Sequence, residues 1–158
     1  MNTTMEFIRI KNFIDNQWVE EKGCEYVPLY NPSTGNTIGE VPLSSPETSS
    51  AAVASAAAAY DGWRKLSVGK RLSYLYAIRQ AMVDNAEELA FSIAVDQAKH
   101  ISEARGEVQR VIEIIESANC LPVMLQGETL DNIAGNINGR VIREPLGVFY
   151  GVAPFQCR

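Results

Sequence analysis

The sequence predicts a mixed α/β protein on three observations. The first forty-odd residues carry β-formers broken by turn-forming residues, residues 46–118 switch to helical periodicity, and Val148 to Val152 is a short, almost wholly apolar run. The last pattern is that of a strand covered on both faces, and it implies a sheet whose other strands lie elsewhere.

The first strands flank Asp15-Asn16-Gln17, where Asn tolerates a left-handed conformation, with Phe13, Ile14, Trp18 and Val19 on either side. Glu25 to Tyr30 forms the next strand. Asn31-Pro32-Ser33-Thr34-Gly35 is a turn, because Pro fixes φ and Gly supplies a positive one, and Thr37 to Leu43 returns as partner. Ser45 then caps a helix with Pro46 in its first turn, Ala-rich to about Tyr60 and stopping at Gly62. A second helix spans about Val68 to Val83 with Leu72, Leu75, Tyr76, Ile78 and Met82 on a broad apolar side. A third starts near Ala86 with Leu89, Ile93 and Ala94 on one face. The fourth, about Ser102 to Ala118, places Ala104, Val108, Val111, Ile112 and Ile115 on one stripe, and Pro122 is expected to end it. From Leu125 to Gly139 the chain is rich in Gly and Asn and reads as a surface connection. Arg140 to Arg143 reads as a strand, interrupted at Pro145-Leu146-Gly147.

Composition excludes several classes. The 158 residues are 46% hydrophobic and 21% charged, so the chain is globular rather than disordered. The net charge of −5, with Lys65, Lys70 and Arg71 scattered among apolar residues, argues against a nucleic-acid partner. No apolar run approaches the roughly 18 residues of a membrane span, and Met1 to Lys11 has no apolar signal-like stretch. A soluble, cytoplasmic protein without membrane contact is expected. Cys24, Cys120 and Cys157 are odd in number and far apart, without a CxxC pair, which argues against both a disulfide framework and a zinc site.

The chemistry-bearing residues have plain structural readings. His100 reads as a helix C-terminal residue meeting the dipole. Glu103 and Glu107, one turn apart, read as solvated charges, with Arg110 between Glu107 and Glu113 at i+3 spacing. A nucleophilic Cys needs a cation, a His or a helix N-terminus. Cys120 sits late in a predicted helix, Cys24 beside Glu21 and Glu25, and Cys157 is penultimate. No phosphate-cradling glycine motif occurs. No complete active site is visible.

The ordered motifs nonetheless resemble the aldehyde dehydrogenase family. Asn12-Phe13-Ile14-Asp15-Asn16-Gln17-Trp18 and Tyr30-Asn31-Pro32-Ser33-Thr34-Gly35 look like its opening hairpins. The helix ending in Trp63, Glu88-Leu89-Ala90, and Glu103-Ala104-Arg105-Gly106-Glu107-Val108 continue the likeness. Arg143-Glu144-Pro145-Leu146-Gly147-Val148, followed by Gly151-Val152-Ala153-Pro154-Phe155, is the most specific stretch, and the resemblance covers about Phe7 to Phe155. Within the family, Gln126-Gly127-Glu128-Thr129-Leu130 and Gly151 to Phe155 are most similar to the CoA-acylating methylmalonate-semialdehyde branch, with succinate-semialdehyde and other members as alternatives.

The resemblance implies an α/β fold in which residues 1–136 form the hairpin and helical part of an NAD-binding domain. Residues 137–147 would form an oligomerisation-arm strand and 148–158 the first strand of the nucleotide-binding sheet. It implies NAD as cofactor, a small aldehyde and CoA as reactants, and a homo-oligomer or partner chain. Ala153 and Phe155 match residues lying against the cofactor, and Arg110 matches an arginine that holds a substrate carboxylate, as a guanidinium fork suits. Gln156 stands where the family has an oxyanion-stabilising Asn; the extra methylene displaces the amide and impairs that role. Asp96-Gln97-Ala98-Lys99 replaces the usual Glu-x-Gly-Lys, and Cys157-Arg158 replaces Phe-Pro. The family's nucleophilic Cys and general-base Glu would fall beyond Arg158. The expectation is an N-terminal fragment, ended by a frameshift or premature stop, inactive alone and prone to associate through the uncovered Val148–Val152 strand. The competing expectation is a non-catalytic module that pairs with a full-length paralogue or a separate C-terminal half.

Overall fold

In the computed structural model, which describes residues 7–152, strands β1 (Ile8–Arg9), β4 (Tyr26–Tyr30) and β5 (Thr37–Pro42) form one sheet in the order β1-β5-β4. The first pair is parallel and the second antiparallel. A Cβ on Gly39 would stand 2.3 Å from the Ile8 carbonyl oxygen, so only glycine lets β1 close on β5. Strands β2 (Asn12–Ile14) and β3 (Gln17–Val19) form a separate hairpin. Its turn is Asp15-Asn16 alone, with φ of 52° and 58°, and Gln17 joins the strand. Two left-handed residues match the twist of a tight hairpin.

Four long helices follow: α1 (Pro46–Arg64), α2 (Val68–Asp84), α3 (Ala86–Gln97) and α4 (Ile101–Ser117). Ser45 caps α1 as expected, its Oγ accepting from Thr48 N at 3.1 Å. The helix runs past Gly62. Gly62 falls in the last turn, where Arg64 pairs with Asp61 at 3.5 Å and the Trp63 ring lies 5.6 Å from that of Tyr74 on α2.

The core sits between α3 and α4. Ala90, Ala104, Val108 and Ile112 are buried, with Met82, Leu89, Ile93 and Ile101 packed around them. Small residues at 90 and 104 let the two helices approach, and the stripe on α4 supplies the larger side chains. Ion pairs brace the edges. Arg79 on α2 meets Glu116 at 2.7 Å, and Arg105 on α4 meets Glu87 on α3 at 2.7 Å.

Several expectations are corrected. His100 is not at a helix C-terminus; it caps the N-terminus of α4, its Nδ1 accepting from Ser102 N at 3.3 Å, because α3 ends at Gln97. Pro122 does not end α4, which stops at Ser117. One 3-10 turn (Ala118–Cys120) follows, and Pro122 then sits in the first turn of the short α5 (Leu121–Met124), where its missing N–H costs nothing. Cys120 therefore lies in that 3-10 turn, not late in a helix.

The Gly/Asn-rich segment is not an open connection but a hairpin, β6 (Glu128–Ala134) with β7 (Ile137–Val141). Asparagines hold its irregular end. Asn138 Oδ1 accepts from Asn132 N at 2.8 Å, Asn132 Oδ1 from Asn136 N at 3.1 Å, and Asn132 and Asn136 take φ of 52° and 63°.

Val148 to Val152 is not a strand covered on both faces: Phe149 and Tyr150 are 77% and 92% exposed, and among the described residues no ladder includes the segment. Apolar side chains leave water only where a second surface meets them, and a strand needs a paired backbone.

Candidate functional site

The sequence-derived site residues do not converge in the described structure. Ala153, Phe155 and Gln156 lie outside the described residues. Arg110 stands on α4 away from the Ala104–Val108–Ile112 stripe, its side chain 69% exposed, with Glu113 at 3.4 Å as its partner. Glu107 is not shared with it, for that carboxylate pairs instead with Lys99, the two side chains being largely covered. Cys24 is half-buried between β3 and β4, and Cys120 is exposed. Among the described residues no cluster of His, Cys, Asp and Glu could hold a metal ion.

Two groups of functional type escape the sequence reading. The first is Glu21, a buried carboxylate. It accepts from Asn12 Nδ2 at 3.0 Å and Thr48 Oγ1 at 2.8 Å, and its backbone oxygen accepts from the Tyr26 hydroxyl at 2.8 Å. Burial pushes the Tyr26 phenol above its ordinary value. With Ser44 also bonded to Asn12 at 2.9 Å, this network ties the first hairpin to the start of α1. It is fully satisfied and therefore structural. The second is Arg71 on α2, whose Nε is buried without a hydrogen-bond partner and which lines an apolar cavity with Trp63, Leu72 and Leu121. In the sequence it is one cation among others; only the position of α5 encloses it.

Two further grooves have mainly apolar linings. One of about 820 Å³ runs between the β2–β3 turn and the Ala face of α1, where Ala51, Ala52, Ser55 and Ala59 face Phe13 and Asp15. Another, of about 300 Å³, lies between Ile8, Leu29 and Ile38 of the sheet and Ile93 of α3. Tyr60 of α1 donates to the Pro145 carbonyl at 2.9 Å and so holds the segment after β7 against the helix.

The sequence that folds into these elements is matched over residues 18–157 by a family model described as the aldehyde dehydrogenase family. The chain belongs to the aldehyde dehydrogenase family. It is 43% identical over 153 residues to a malonate-semialdehyde dehydrogenase of Bacillus thuringiensis, covering 97% of this chain and 32% of the relative. A crystal structure described as a methylmalonate-semialdehyde dehydrogenase from Sinorhizobium meliloti, complexed with NAD, superposes with a TM-score of 0.85 at 29% identity, over 89% of this chain and 29% of that one. An NADP-dependent glyceraldehyde-3-phosphate dehydrogenase from Bacillus halodurans, complexed with NADP, gives 0.81 at 29% identity, over 89% and 30%. The chain thus spans about a third of the length of these relatives and matches an N-terminal part of the aldehyde dehydrogenase fold. No helix among the described residues is long and apolar enough to cross a membrane.

Proposed function

We propose that this chain supplies the N-terminal part of a nicotinamide-dependent aldehyde dehydrogenase, acting on a small semialdehyde with CoA as acyl acceptor, and that it is inactive by itself. The observation that carries this reading is the match over nearly the whole chain to malonate- and methylmalonate-semialdehyde dehydrogenases.

The described residues do not by themselves fit a dinucleotide. The groove of about 820 Å³ is lined by Ala, Ser, Asn, Phe, Ile and one charged residue, Asp15, whereas a pyrophosphate calls for cations or a helix N-terminus. We assign cofactor contact to Ala153 and Phe155 and substrate-carboxylate binding to Arg110. Gln156 takes the oxyanion position, impaired by its longer side chain. Exposure supports the assignment to Arg110, since its partner among the described residues is Glu113 at 3.4 Å on the open surface, and a carboxylate brought against α4 displaces it easily. Residues 1–136 contribute the hairpin and helical part of the cofactor domain, 137–147 the oligomerisation arm and 148–158 the first strand of the nucleotide-binding sheet. The chain is assigned to the cytoplasm, in a homo-oligomer or with a partner chain.

The test is a covalent chimera in which this chain replaces the matching third of the Bacillus relative. The expected result is NAD(P)H formation from malonate or methylmalonate semialdehyde, dependent on CoA, with none from this chain alone. A folded chimera that oxidises no aldehyde overturns the reading. Within the chimera, Gln156→Asn should raise kcat, and Arg110→Ala should raise KM for the carboxylate-bearing aldehyde while leaving an uncharged aldehyde unaffected.

A further inference from the structure

The chain has a single histidine, His100, and it stands at the N-terminus of the helix whose stripe forms the core. Its backbone is extended, with φ of −63° and ψ of 136°, and its Nδ1 accepts from Ser102 N at 3.3 Å. A backbone N–H can only donate, so this bond requires an unprotonated Nδ1, with the ring proton on Nε2. Ser102 Oγ lies 2.8 Å from the same nitrogen. Helices α1 and α2 are capped instead by the hydroxyls of Ser45 and Ser67, which do not titrate in this range.

We propose that His100 is a pH-sensitive cap: the neutral imidazole closes the first turn of α4, and its protonation opens that turn. A protonated imidazole donates at both nitrogens and accepts at neither. Ser102 Oγ can answer by turning its own proton away, whereas Ser102 N–H is left without its acceptor. The new positive charge also stands at the positive end of the helix dipole. Both changes favour the open turn. The same turn holds Glu103 N and Ala104 N on the His100 carbonyl, at 2.9 and 3.1 Å. Ala104 is buried in the core and Ile101 packs against it, so opening this turn loosens the seam between α3 and α4.

The charges on the neighbouring elements leave that sign in place. Asp96 stands in the last turn of α3, Lys99 in the connecting turn, and Glu103 and Glu107 on α4. Lys99 is paired with Glu107, and Arg105 with Glu87. Across the groove beside Asp96, Arg9 and Glu40 of the sheet pair with each other. Among the described residues no ion pair includes His100, so no carboxylate is placed to hold its charged form. Glu103 is exposed, and an exposed charge out of contact is screened by water.

The unfolded chain binds the proton freely and the capped helix cannot. Stability is therefore present above the ordinary imidazole value of about 6.5 and lost as pH falls below it. Carboxyl and lysine side chains ordinarily titrate outside the range of about pH 5 to 8, which leaves this window to His100.

The test reads Tm and amide exchange of the 158-residue chain about one pH unit above and about one below the ordinary imidazole value. Between the two, Tm should fall by about 2–4 °C. Exchange at Ser102, Glu103 and Ala104, corrected for its intrinsic pH dependence, should rise about fivefold. His100→Asn keeps a side-chain acceptor that does not titrate, so both readings should stay level across the interval. His100→Ala has no acceptor at either pH; its Tm should be level too, and below that of His100→Asn. A parent chain whose Tm and exchange hold level overturns the inference, as does a fall in Tm without a change at those three amides. A His100→Asn chain that shows the parent's full fall overturns it, since another group would then be titrating. His100→Ala as stable as His100→Asn overturns it as well, for the imidazole would then cap nothing.

Discussion

The α3–α4 pair and the stretch from β6 to Val152 contain similar proportions of apolar residues yet meet opposite fates. In the pair, Ala90, Ala104, Val108 and Ile112 are buried against one another. In the stretch, Leu130, Ile133, Ile137, Ile142, Phe149 and Tyr150 all face solvent. Both segments have the composition of a core, and only the first has a second surface to pack on. Apolar sequence specifies what a segment would bury; its neighbours decide whether it does.

The comparison breaks most visibly at Ile112. Ile112→Ala should destabilise the chain by about 2–5 kcal/mol, read as a lower midpoint in urea, because it opens a cavity in the packed pair. The same loss of apolar bulk at Phe149 should change stability by no more than about 0.5 kcal/mol. Phe149→Ser should instead reduce self-association, measured by light scattering against concentration, since an exposed apolar run is an association surface. A large loss of stability from Phe149→Ser would mean that the stretch is covered after all.

A finer contrast lies within the helical pair. Ala98 ends α3 with φ at 55°, in the left-handed region where a Cβ is strained, at the position where the family resemblance expects glycine. Ala98→Gly should therefore raise stability by about 1 kcal/mol, seen as a higher Tm. No change would show that the turn into His100 relaxes around the alanine.

The smallest effect is electrostatic. The hydrogen bond from Arg105 holds the Glu87 carboxyl below its ordinary value of 4.5, and the neighbouring positive charge adds to it. Its folded-state value is depressed, so its contribution is present above pH 4.5 and is lost as pH falls through that value and below it. Glu87→Gln should flatten the acid side of a Tm–pH profile slightly and leave Tm near neutrality almost unchanged, both groups being solvent-exposed. An unchanged acid slope would mean that the pair is equally formed in the unfolded chain.

Local chemistry made much of the fold legible. Ser45-Pro46 announced the start of α1 and the stripe from Ala104 to Ile115 announced α4, because caps and periodicity act within a few residues. The β6–β7 hairpin was missed although its signal was present: Gly135-Asn136 between runs containing Leu130, Ile133 and Ile137 is a two-residue hairpin turn. The candidate site was legible only by resemblance, since its proposed members at 153, 155 and 156 carry no intrinsic chemical signature and Arg110 looks like any solvated helix charge.

By itself, then, the sequence determined the helices, the turns, the net charge of −5 and the family likeness, all of which depend on residue type and short spacing. The tertiary structure alone decided that His100 caps α4, that Glu21 is the satisfied centre of a buried network, that Val148 to Val152 stays uncovered and that Arg71 is enclosed without an acceptor. Each of these depends on which distant surface arrives, and burial is a property of pairs of surfaces rather than of a residue.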